Sequence, residues 1–287
     1  MRRILFSSLV LAACATSPAA TTPPVASNPV IVAERTFAAD AAQRGWAAAF
    51  RSYAAADAIT LSPDPVNAQE NLARIEGDGE TTLDWRPAYA GISRGGDFGF
   101  TTGPFLFRGR DGIVGHYFTV WRRQPDGGWK WIFDAGTDVR DPGPPVAVDA
   151  DIPTLNVAAS GASSASAAAE EVRALEHYIA IARPDPREQL LRRLADDIRL
   201  NRPGHAPAIG IEEATALAQA TGLDAAQEPL MLEVASAADM VFVMARTSWL
   251  EGEERREGYL ARVWQRQGQD WRIVFDEIVP RRGPPAG

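Results

Sequence analysis

Apolar residues recur at helical spacing at the start of each half of the chain and then give way to alternating, strand-like stretches. Between residues 30 and 53, Phe37, Ala41, Trp46, Phe50 and Tyr53 keep a helical period that Gly45 interrupts, which predicts two short helices. Leu175, Ile179, Leu190, Leu191 and Leu194 repeat that arrangement, interrupted by Pro184 and Pro186. Each helical section runs into a short extended segment, DAITLSP from Asp57 to Pro63 and DDIRLNRP from Asp196 to Pro203. A polar helical stretch follows in each half, Asn67 to Ile75 and Ile211 to Ala220. The rest is strand-like: GDFGFTTG from Gly96 matches ADMVFVMA from Ala238, and the hairpin VWRRQPDGGWKWIFD from Val120 is echoed by VWQRQGQDWRIVFD from Val263.

The spacing of this echo, roughly 142 residues, is too long for a solenoid repeat and suits duplication of a whole domain. Trp121 aligns with Trp264 and Phe133 with Phe275, and the single residue of slippage falls in the turn, where hairpins tolerate it. Helices followed by a meander of strands predict an α+β class. The predicted domains are residues 30–140 and 171–281, the second more divergent, with a tail at 282–287. A Pro, Gly, Ala and Ser-rich linker at 141–170 separates them.

Composition narrows the picture. Hydrophobic residues make up 46% of the 287 and charged residues 23%, values of a soluble globular protein with packed cores. A formal net charge of -8 leaves no basic stripe to neutralise phosphates, so nucleic acid is excluded as an expected partner. At the N-terminus, Arg2 and Arg3 precede an apolar run from Ile4 to Leu11, the order of a secretory signal and too short to span a bilayer. Leu11, Ala12, Ala13 and Cys14 resemble a bacterial lipobox, which implies removal of residues 1–13 and acylation of Cys14, the one cysteine in the chain. Residues 14–29, rich in Ala, Thr and Pro, read as a flexible tether. The expected partner is therefore a membrane, reached through a lipid anchor. The expected place is the bacterial envelope, at the outer membrane and facing the periplasm.

The segments ADAITLSP, LDWRPAYAGISRGGDFGFTTGPF, VWRR and WKWIFD together resemble the nuclear transport factor two-like superfamily, in particular its SnoaL-like and ketosteroid-isomerase-like bacterial domains of unassigned role. The resemblance covers 30–139 and, more faintly, 174–280. It implies two tandem cone-shaped domains, each a curved antiparallel sheet packed on two or three N-terminal helices around an apolar pocket. Side chains expected to line those pockets are Trp85, Tyr89, Phe98, Phe100, His116, Phe118, Tyr178 and Tyr259. His116 alternates with Phe118 and Val120 on one strand face, and Tyr259 is its counterpart. Related domains dimerise through the open sheet face. Two fused copies would satisfy that contact internally, so a monomer with its domains packed on each other is expected.

The chemistry expected of the chain is limited. Ketosteroid isomerases set a general-base Asp before a Pro that follows the first strand; the matching residues here are Ser62 and Arg202, and neither can be that base. The three histidines, His116, His177 and His205, have no second His or Cys at ligand spacing, so no metal and no cofactor is expected. Register across the hairpins sets Asp134 opposite Thr119 and Asp276 opposite Arg262, which reads as a hydrogen bond and an ion pair. Trp121, Trp129, Trp131, Trp264 and Trp271 read as core. Three functions follow in order: binding of a small apolar ligand or a protein partner in the cones, scaffolding with filled cones, and an isomerase- or cyclase-like enzyme with another base.

Overall fold

The computed structural model describes residues 28–75, 82–108, 113–140, 146–182, 186–221, 229–251 and 253–281. The signal segment, Cys14 and nearly all of the tether lie outside the described residues, as does the tail.

The first domain opens with α1 (Pro29–Arg44) and α2 (Trp46–Tyr53). The side chain of Asn28 accepts from the Val30 amide at 3.1 Å, and Pro29 takes the first helical position, where a missing N–H costs nothing. Gly45, at φ 93°, adopts backbone that a side chain would disfavour and turns the chain sharply from α1 into α2. Strands β1 (Ala54–Leu61) and β2 (Pro65–Asn67), helix α3 (Ala68–Leu72) and strands β3 (Thr82–Trp85), β4 (Tyr89–Ile92), β5 (Phe98–Arg108), β6 (Ile113–Arg123) and β7 (Trp129–Asp138) complete it. The second domain repeats the plan with α4 (Ala165–Ile181), α5 (Pro186–Leu191), β8 (Leu194–Asn201), β9 (Ala208–Ile209), α6 (Ile211–Thr221), β10 (Pro229–Val234), β11 (Met240–Glu251), β12 (Glu254–Gln267) and β13 (Asp270–Pro280).

The two sheets have matching orders, β2-β1-β7-β6-β5-β3 with β4 also on β5, and β9-β8-β13-β12-β11-β10. The class is α+β in two domains, as the patterning predicts. The meanders β5-β6-β7 and β11-β12-β13 are antiparallel. One pair in each sheet departs from the expected antiparallel run: β1 lies parallel to β7, and β8 to β13. Both are first strands joining the free edge of a later meander rather than folding back through a hairpin.

One face of each sheet packs on its own helices and the other packs on the opposite domain. Helical-face contacts in the first domain centre on Phe37, whose ring lies 4.7 Å from Phe50, 4.8 Å from Trp85 and 6.0 Å from Trp121. Between the domains, the Phe118 ring stacks on Phe275 at 4.0 Å and 9°, and Phe133 meets Phe242 at 5.0 Å. Phe100 and Phe242 are counterparts, as are Phe133 and Phe275, so the contact is close to two-fold symmetric. Its rim obeys the same symmetry: Asp239 accepts from the Arg94 amide at 2.8 Å, and Asp97 accepts from the equivalent Ser236 amide at 3.2 Å.

The predicted linker differs from a tether. Ile152 and Leu155 are buried, Leu155 donates its amide to the Ala90 carbonyl at 2.8 Å, and Thr154 bridges to Ala90 on the edge of β4. Helix α4 begins at Ala165, inside the span predicted to be linker, because Ser164 caps it by accepting from the Ala167 amide at 3.1 Å. The isolated apolar residues of 146–164 thus cover an open strand edge, a use that no periodicity announces.

Candidate functional site

The helical face of the first sheet carries a polar cluster at the heart of an apolar cone. Helix α1 supplies Glu34, fully buried on the stripe Val30, Glu34, Phe37 and Ala41. Its carboxylate accepts from Trp85 Nε1 at 2.6 Å, from Trp121 Nε1 at 3.0 Å and from the Thr101 hydroxyl. On the neighbouring strands Thr119 pairs with Asp134, and Thr119 Oγ1 donates to Asp134 Oδ2 at 2.6 Å, the cross-strand bond read from the sequence. The Tyr117 hydroxyl, two residues along β6 on the same face, is buried with no hydrogen-bond partner among the described residues.

Electrostatics follow from this set of neutral donors. Burial raises the Glu34 carboxyl, and the Thr101, Trp85, Trp121 and Thr119 donors offset only part of that. Burial pushes Asp134 up to about 8, with Thr119 opposing and the nearby Glu34 adding. Burial also raises the Tyr117 phenol, and Glu34 adds to it. Asp134 is the one member of the cluster that is not fully buried. Near neutrality the Asp134 carboxyl holds its proton and is a donor.

The second cone repeats the two acids and locks them. Glu176 on α4 stands where Glu34 stands on α1 and accepts from Trp264 Nε1 at 2.7 Å, as Glu34 does from Trp121. At the position of Thr119, however, is Arg262. Its Nη1 reaches Glu176 at 2.7 Å and its Nε reaches Asp276 at 2.6 Å, the ion pair expected from register. Arg202 adds a contact to Asp276 at 2.6 Å. Against the upward push of burial, Arg262 and Arg202 hold Asp276 below the usual carboxylate range. All four charged side chains are nearly or wholly buried.

The residues expected to line the pockets divide between the two faces. Trp85 lies in the first cone, bonded to Glu34. Tyr89, Phe98, Phe100, His116 and Phe118 are buried but share the opposite sheet face, and the expectation that they line the cone is corrected for them. Phe100 and Phe118 pack between the domains, and Tyr89 lies under the Arg199 guanidinium of the second domain at 4.2 Å. Both faces of β6 are apolar, so alternation alone does not say which one meets the helices. Tyr259, counterpart of His116, likewise faces the other domain and donates its hydroxyl to Asp64. Tyr178 is half exposed, off the buried stripe Ala168, Val172, Glu176 and Ile179 of α4. Ser62 carries no acid and Arg202 is tied to Asp276. Among the described residues no group of three or more His, Cys, Asp or Glu could hold a metal.

Glu34 and Glu176 escaped the sequence reading, although a signal existed. An acid on the apolar stripe of a helix, repeated at the duplication spacing, is improbable as a solvated residue.

No protein-family model matches the sequence, and no curated protein is similar to it. Solved structures are similar over the length of one domain. A nuclear transport factor two-like protein of unknown function from Pseudomonas putida is 19% identical over 40% of this chain and 88% of its own, at a TM-score of 0.31. A putative ketosteroid isomerase from Parabacteroides distasonis is 14% identical over 42% and 92%, at 0.33. A ketosteroid isomerase-like protein from Erwinia carotovora is 20% identical over 40% and 96%, at 0.33. These are likenesses of fold; the chemistry is set by the side chains described above.

Proposed function

We propose that the protein is an envelope-anchored lipoprotein whose first domain binds a small, mostly apolar molecule with one hydrogen-bond acceptor, and whose second domain braces the first. One observation carries the reading: equivalent buried acids are locked by two arginines in the second cone but meet only neutral donors in the first. A protonated Asp134, with the Tyr117 hydroxyl on the same sheet face and without a partner among the described residues, suits a carbonyl or hydroxyl oxygen on an apolar frame. Binding is favoured over catalysis because Glu34 already takes three donors, Asp134 keeps its proton, and Ser62 is no base. The signal, the lipobox and the tether support the anchor.

Mass spectrometry of full-length protein extracted from membranes tests both parts. The mature chain is expected to begin at an acylated Cys14, and 2-acetylnaphthalene, an apolar bicycle with one carbonyl, is expected to bind under native conditions. Affinity should fall as pH rises through about 8, where Asp134 loses its proton. It should stay level in Asp134→Asn, whose amide donates at every pH. Absence of binding, or equal binding in Asp134→Val, counts against the site. Because the sheet faces already cover each other, the detergent-corrected mass from light scattering should be that of one chain; a stable dimer contradicts it.

A further inference from the structure

The near two-fold packing creates two grooves, each between the first strand of one domain and the edge strands of the other. They are related by symmetry but differ in content. One groove lies between β8 and β4-β5. There Arg199 of the second domain places its guanidinium 4.2 Å from the centre of the Tyr89 ring of the first, so a ring and a cation occupy it. Its mate, between β1-β2 and β10-β11, is open, with a volume of about 440 Å³.

Strand register identifies what the open groove lacks. Arg199 pairs with Phe275 as Ile59 pairs with Phe133, so Ile59 stands at the arginine position. Tyr89 pairs with Thr102 as Met231 pairs with Met244, so Met231 stands at the tyrosine position. Both Ile59 and Met231 line the open groove. The missing pair is a flat ring with a planar cation stacked on it.

The walls of the open groove favour such a guest. Glu233, at the position of Gly91, adds a carboxylate that the filled groove does not have. Glu233 and Asp57 share one guanidinium, that of Arg122, which bonds Asp57 at 2.6 Å and Glu233 at 3.3 Å. Asp64 on the opposite wall is held by Arg281 at 2.8 Å, with Arg246 at 3.9 Å. Arg246 also lines the groove but is turned to Asp64 and the Tyr259 ring, so Glu233, which shares Arg122 with Asp57, is the carboxylate left to a guest cation, while Ile59, Met231 and Met244 offer an apolar, polarisable floor.

We infer that this groove between the domains is a second ligand site, distinct from the cone, for a small aromatic cation that takes the places of the Tyr89 ring and the Arg199 guanidinium. The volume is that of a small-molecule pocket. In the mirror groove of this same chain a ring-and-cation pair packs between the two domains.

Titration of the full-length protein with benzamidinium, followed by ligand-observed NMR, tests the site. Benzamidinium is expected to bind, and neutral benzamide at least tenfold more weakly. The double variant Ile59→Arg with Met231→Tyr transplants the filling of the mirror groove and is expected to weaken benzamidinium at least tenfold. Should that variant misfold, Glu233→Gln provides the second reading, with a several-fold loss expected. Asp134→Val, in the cone, should leave benzamidinium binding unchanged, which separates this site from the one proposed above. No binding to the wild type, equal binding of benzamide, or full binding to both groove variants overturns the inference.

Discussion

Arg262→Met is expected to destabilise the protein by about 3–5 kcal/mol. The arginine joins two buried acids, Glu176 at 2.7 Å and Asp276 at 2.6 Å, and its side chain is itself only 3% exposed. Among the described residues, removing it leaves Glu176 with the Trp264 indole and Asp276 with Arg202, so two carboxylates are left undersolvated at once. The first-domain counterpart, Thr119→Val, removes a neutral donor from an acid that is protonated near neutrality, and should cost about 1–3 kcal/mol. Urea unfolding of both variants at pH 7 checks the contrast. Equal losses would mean that Arg262 contributes no more than a hydroxyl does, and that the second cone is not held by its ion pairs. Replacing Glu176, Arg262, Asp276 and Arg202 together by apolar residues of similar volume should recover much of the loss, because a buried network is costly to break and not costly to omit.

The duplicated architecture was legible because Trp121 and Trp264, with the Phe and Asp that close each hairpin, repeat at one spacing. The pairs Thr119–Asp134 and Arg262–Asp276 were legible too, since register across a hairpin is fixed by its turn. What lay beyond reach was the choice of face. Phe118 and Trp121 are both fully buried, yet one packs on another domain and the other on helix α1. Period two separates them without saying which is which. For Glu34 the repeated acid at Glu176 was a usable signal, but its partners were not, because Trp85, Thr101 and Trp121 converge on it from strands that lie far away in sequence. The burial of Ile152 and Leu155 depends on the β4 edge they cover, which is a tertiary fact alone.

The two copies have diverged mainly at positions that leave the fold intact. Thr119 against Arg262 on matching strands, and Ser62 against Arg202 just after the first strand of each sheet, change the charge without changing the elements around them. Ile59 against Arg199, and Met231 against Tyr89, do the same for the grooves between the domains. In both comparisons one copy carries an arginine where the other carries a neutral residue.

Stability is expected to fall by several kcal/mol between about pH 5 and pH 9. Asp134 and Glu277 are each pushed up to about 8 by burial. Glu277 projects from β13 toward β7, with a carboxylate oxygen that meets no partner among the described residues; Asn201, Arg202 and the Thr137 amide offset its burial only in part, and Asp134 adds to it. In the unfolded chain both acids ionise near pH 4. Between about pH 4 and 8 the folded protein therefore holds protons that the unfolded chain has released, and stability declines as pH rises through that window. Because the two acids repel each other they titrate as a pair, and the combined effect is less than the sum of two isolated shifts of on the order of 5 kcal/mol each. Asp276 acts in the opposite sense: its arginines depress it, so its contribution is lost as pH falls below about 4. Optimum stability should then lie near pH 4–5, below the usual range. Urea midpoints from pH 5 to 9 check the slope, and Asp134→Asn and Glu277→Gln should each flatten it and raise stability at pH 9. A level profile in the wild type, or a slope that both variants leave untouched, would show that these carboxyls are solvated in the folded protein.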